Sequence, residues 1–108
     1  MDSMHILICF VSAPSVEVAQ ALSMLVVERK LAACVNIMPN VRSVYRWKGK
    51  VTIDEEVLMV IKTSQARVSE LRDTILANHP YETPEFVVVQ STDASKTYAD
   101  WVCASTAP

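Results

Sequence analysis

Residues 78–86 read NHPYETPEF. Within this stretch stand the imidazole of His79, the phenol of Tyr81 and the carboxylates of Glu82 and Glu85, stiffened by Pro80 and Pro84. A neutral imidazole nitrogen and a carboxylate oxygen are good donors to borderline divalent metals such as copper or zinc, so the stretch is a candidate cation site. It cannot complete a tetrahedral site alone, and no C-x-x-C or H-x-x-x-H spacing occurs anywhere in the chain. A third donor would have to come from a strand or from a second subunit. Cys9 is one such donor in principle, because its strand and the last one can be neighbours in a sheet. A plain structural account competes with this one. His79 would close a helix, where a partly positive imidazole suits the dipole, Pro80 would stop that helix, and Pro84 would open a strand. That account explains both prolines but not Tyr81, nor the pair Glu82 and Glu85.

Other chemistry finds less support. The chain holds a single glycine, Gly49, whereas a P-loop or a dinucleotide fingerprint needs several for close backbone approach to phosphate. There is no G-x-S-x-G elbow, and neither His5 nor His79 has a nucleophile beside it, so no enzyme activity is expected. Asp54, Glu55 and Glu56 alternate faces on a strand and read as a solvated edge. Cys9, Cys34 and Cys103 are odd in number and widely spaced, which suits buried reduced thiols better than a disulfide framework. Tyr45, Trp47, Tyr81 and Trp101 are equally consistent with an intersubunit cleft and with buried interface aromatics.

The elements that must position these groups can be read from pattern. A chain of 108 residues with 51% hydrophobic composition fits one domain, 1–108, with a core of its own. The formal net charge of −2, with basic residues spread along the chain, argues against nucleic acid as a partner. The early apolar run ILICFV is far short of the ~20 residues of a membrane span. It also lacks the marks of an export signal, so the expected location is cytoplasmic.

HILICFV (5–11) predicts a buried strand. Ser15 then caps a helix with Glu17 in its first turn, Arg29 and Lys30 in its last, and Val18, Leu22, Leu25 and Val26 facing inward. AACVNIM (32–38) predicts a second strand ended by Pro39 and Asn40. VRSVYRW (41–47) and VTIDEEVLMVIKT (51–63) predict a hairpin turning at KGK, where Gly49 supplies a positive φ. Ser64 caps a second helix to about Asn78, with Val68, Leu71 and Ile75 inward; EFVVVQS (85–91) predicts another buried strand. A last helix, about 95–104, sets Tyr98, Trp101 and Val102 on one face.

The order β-α-β-β-α-β plus a terminal helix gives an α+β, ferredoxin-like sandwich, with two helices on one face of an antiparallel sheet. One feature strains that picture. The strand over 51–63 would span roughly 40 Å at ~3.3 Å per residue, whereas a body of this size is roughly 34 Å across. A projecting hairpin with Tyr45, Trp47 and alternating Val and Ile needs a cover, and symmetric self-association is the usual one. The apolar residues on the sheet face away from the helices point the same way.

Three ordered segments, ERKLAACVNIMPNVRSVYRWKGKV (28–51), EEVLMVIKT (55–63) and HPYETPE (79–85), resemble the CutA divalent-cation tolerance family, and the resemblance runs on to YADWV (98–102). It implies a ferredoxin-like subunit in a tight homotrimer, similar to the PII signalling proteins, handling divalent cations with copper foremost and with no established enzymatic activity. The family's metal site joins a cysteine late in the first strand to histidine and glutamate of the HPY…PE segment. The implied ligands here are His79 and Glu85, with Cys9 as third, since Val11 stands where that cysteine falls. Asn78 replaces the first of a His-His pair. The alternative role is a signalling or interaction module whose intersubunit cleft, lined by Tyr45, Trp47 and Tyr81, takes a small molecule or a protein partner.

Overall fold

The computed structural model describes residues 5–108. The expected strand at the start of the chain is β1, Leu7–Ala13, whose alternating burial reflects its central place in the sheet. Residues 1–4 of the expected domain lie outside the described residues. Ser15 caps α1, Val16–Glu28, by accepting the Val18 N–H at 3.1 Å. Leu22 and Val26 are buried as expected, joined by Ala19 and Ser23. Arg29 and Lys30 do not occupy the last turn: Arg29 is the cap and Lys30 takes φ 60°. The positive charge that this helix end attracts comes instead from Arg67, whose guanidinium donates to the carbonyls of Arg29 and Lys30 at 3.3 and 3.2 Å.

The segment 34–47 is one strand, β2 (Cys34–Trp47), and not two. Pro39 and Asn40 form a bulge in which both oppose Val57, since Met38 pairs with Leu58 and Val41 with Glu56. Asn40 tolerates the positive φ of 65° there, and Pro39 is accommodated because β2 lies at the sheet edge. The bulge has a consequence for side chains. Before it, Val35 and Ile37 pair with the buried Ile61 and Met59; after it, Ser43 and Tyr45 pair with Asp54 and Thr52, on the opposite face. Strand β3, Lys50–Thr63, returns through Lys48 and Gly49, both at positive φ (50° and 81°) as a tight hairpin turn requires.

A short 3-10 turn, Gln65–Arg67, leads into α2, Val68–Asn78, in which Leu71 and Ile75 are fully buried. Ser64 makes no cap hydrogen bond; its hydroxyl meets that of Thr106 at 2.8 Å. The last strand, β4 (Val87–Gln90), pairs among the described residues only with β1 and is largely exposed rather than buried, because it forms the other edge. Helix α3, Lys96–Ser105, buries Ala99 and Val102 against Ile6 and Ala33, while Tyr98 and Trp101 stack on each other on its outer side.

The four strands run antiparallel in the order β2-β3-β1-β4, the ferredoxin-like arrangement. Both α1 and α2 cover one face, around Cys9, Val11, Val26, Met59, Ile61 and Ile75. The core fills only the inner half of β3. Val57, Met59 and Ile61 are buried, but Val51 and Ile53, in the same alternation, are 65% and 62% exposed. The β2–β3 arm therefore projects from the body, and the longest extent is 44 Å.

Candidate functional site

Along the arm lies a cleft of about 580 Å³, between the arm, the end of β1 and the α2–β4 connection. The connection starts with His79, held extended (φ −87°, ψ 139°) as a residue before proline must be. Asn78 closes α2 by donating its side-chain amide to the Thr74 carbonyl at 2.8 Å. His79 does not sit over the helix end as a dipole partner. Its ring turns toward β1, with Nε2 2.8 Å from the Ser12 carbonyl, and Nδ1 accepts the Tyr81 backbone N–H at 3.1 Å. Because Nδ1 accepts, Nε2 carries the proton and donates. The ring also lies 4.8 Å from that of Tyr81. His79 thus fixes the connection to the sheet and aims Tyr81 at the arm.

Tyr81 donates its hydroxyl to Glu56 at 2.6 Å, and Tyr45 donates to Asp54. Tyr45 pairs with Thr52 while Asp54 pairs with Ser43, so the second bond is a diagonal contact across the hairpin. Burial first, then the hydrogen bond and charge of Glu56, hold the Tyr81 phenol well above its ordinary value. For Tyr45 the hydrogen bond to Asp54 raises the phenol, followed by lesser burial and the negative field of Asp54 and Glu56. Glu56 therefore lines the site, and the exposed Asp54 orients Tyr45 from beside it. The signal was present in the sequence: Asp54 and Glu56 share a strand face and stand opposite a tyrosine-bearing strand.

Tyr45, Trp47 and Tyr81 line this one cleft, and Glu85 lines it too, within 3.4 Å of the Ser12 hydroxyl. Glu82 and Glu56 complete a charged lining that, among the described residues, is entirely acidic. Trp101 is not part of it, being stacked on Tyr98. Cys9 is elsewhere: it is fully buried, paired with Ile61 and Val88, and burial pushes its thiol up to about 11. A thiol so placed does not present a thiolate to a metal. Among the described residues no group of three His, Cys, Asp or Glu side chains is placed to hold a metal ion. One subunit thus does not fit copper through Cys9, His79 and Glu85 together. No helix of the described residues is long and apolar enough to cross a membrane.

The family model described as CutA1 divalent ion tolerance protein matches residues 7–105. The divalent-cation tolerance protein CutA of Thermus thermophilus is 38% identical over 92% of this chain and 96% of its own length. A protein named CutA, chloroplastic, from Arabidopsis thaliana is 41% identical over 93% of this chain but only 55% of its own length. The chain spans about half the length of that plant relative. The crystal structure of a divalent ion tolerance protein CutA1 from Ehrlichia chaffeensis superposes with a TM-score of 0.93 at 32% identity, covering 99% of this chain and 100% of that one. With the family model matched over residues 7–105 and the fold shared along nearly the whole length, the chain belongs to the CutA1 divalent ion tolerance family.

Proposed function

We propose that this protein acts as a homotrimeric, cytoplasmic binding protein for divalent cations, copper foremost, without catalysing a reaction, and that residues 1–108 form its one domain. The observation that carries the reading is the cleft lining. Glu56, Glu82 and Glu85 converge there with no basic side chain among them, which makes the site attractive to cations. Glu85 is the exposed donor, and His79, buried outside the cleft lining, is the second. Since both His79 nitrogens serve backbone groups, its ligation of a metal would break a hydrogen bond worth about 1 kcal/mol. With Cys9 inside the core, further donors come from a neighbouring subunit, brought by the projecting arm. Calorimetry with copper on the wild type, Glu85→Gln and His79→Ala tests this. Weaker binding in Glu85→Gln is expected; equal affinities in all three would remove both residues from the site.

A second reading is favoured by the aromatic walls. A cleft of about 580 Å³ carrying Tyr45, Trp47 and Tyr81 has the size and lining of a small-molecule site, for which ~300–1,000 Å³ is usual. On this reading the protein is a signalling or interaction module similar to the PII proteins, and metal is incidental. A thermal-shift screen of metabolites in which nothing moved the transition would count against it.

A further inference from the structure

The cleft couples two features that select the same kind of ligand. Its charged lining residues are carboxylates, and its walls carry three aromatic rings, of which Trp47 is the largest. An aromatic face attracts cations within about 6 Å of its centroid, most usefully those that shed water easily. A hard divalent ion such as magnesium instead keeps its water and seeks a full oxygen shell. The hydroxyls of Tyr45 and Tyr81 are already committed to Asp54 and Glu56, so a ligand meets the rings rather than free phenol donors. The molecule shows the contact once by itself: the Lys48 ammonium lies 5.9 Å from the Trp47 ring centroid.

We propose that the cleft binds an organic ammonium ion, with Tyr45, Trp47 and Tyr81 against its alkyl groups and Glu82 and Glu85 balancing its charge. This rests on the small-molecule reading of the cleft and adds the charge and class of the ligand. Lys48 then acts as a tethered competitor for one face of Trp47.

The test is a calorimetric titration of the assembled protein with choline and with 3,3-dimethylbutan-1-ol, in which carbon replaces the charged nitrogen. Choline should bind about tenfold more tightly or better, and added salt should erode the difference. The double variant Glu82→Gln/Glu85→Gln, both exposed positions, should lose about tenfold in choline affinity and none for the alcohol. Lys48→Asn removes the competing ammonium with a residue that tolerates the φ of 50°, and should tighten choline about threefold. Equal binding of choline and the alcohol would overturn the cationic ligand while leaving a small-molecule cleft. Binding of neither at millimolar concentration would overturn both. Copper binding with no choline binding would overturn this inference and leave the divalent-cation reading standing.

Discussion

His79 shows how a residue chosen for its chemistry can be held by structure. Its type and neighbours mark a metal ligand, and pattern alone leaves open whether it is that or a helix stop. The structure gives it a third part, a clasp between the α2–β4 connection and the end of β1. No sequence rule reports such a clasp, because the Ser12 carbonyl is 67 residues away. Glu56 was legible only in part: strand alternation shows that it shares a face with Asp54, but not that Tyr81 arrives from another element. The Tyr81–Glu56 bond has a measurable signature. A phenol raised in the folded state stabilises the fold fully below its unfolded value of about 10, and that contribution is lost as pH rises toward the folded value. In Glu56→Gln the Tyr81 phenolate, followed by difference absorbance against Tyr81→Phe, should appear at lower pH than in the wild type. The shift is partial, since burial is the larger cause. An unmoved titration would mean that Glu56 carries no weight at this hydroxyl.

Among the elements, both main helices and the arm were readable because their periods are strong, and because the α1 cap and the hairpin turn used the residues those devices require. Ser15 and Gly49 are examples. The misread elements share a cause: sequence reports local preference, not the place of a strand in the sheet. Val87, Val88 and Val89 are β-formers that read as buried, yet β4 is an edge, with Val87 50% and Val89 43% exposed. Pro39 reads as a strand end, yet at an edge it becomes half of a bulge that turns Tyr45 and Trp47 to the site. The turn can be tested alone. A Cβ at Gly49 meets nothing within 4 Å, so Gly49→Ala should cost only the backbone strain of φ 81°, about 1 kcal/mol, read from urea unfolding. A neutral result would show that the arm's tip rearranges freely.

At the scale of the molecule, the arm is the feature that a lone subunit leaves unsatisfied. Val44, Val51 and Ile53 are each more than 60% exposed. Covering such side chains is worth roughly 1–2 kcal/mol apiece, several kcal/mol together in each copy, which favours assembly. Ile53→Glu should leave the subunit folded, since the side chain is already in water, yet shift the assembly toward monomers in size-exclusion chromatography. An unfolded variant, by circular dichroism, would instead place Ile53 in the subunit's own core. Sharing of this arm between copies is what a homotrimer requires. Sedimentation equilibrium of the wild type at micromolar concentration measures that directly. A mass three times that of the chain is the predicted result, and a stable monomer would contradict it.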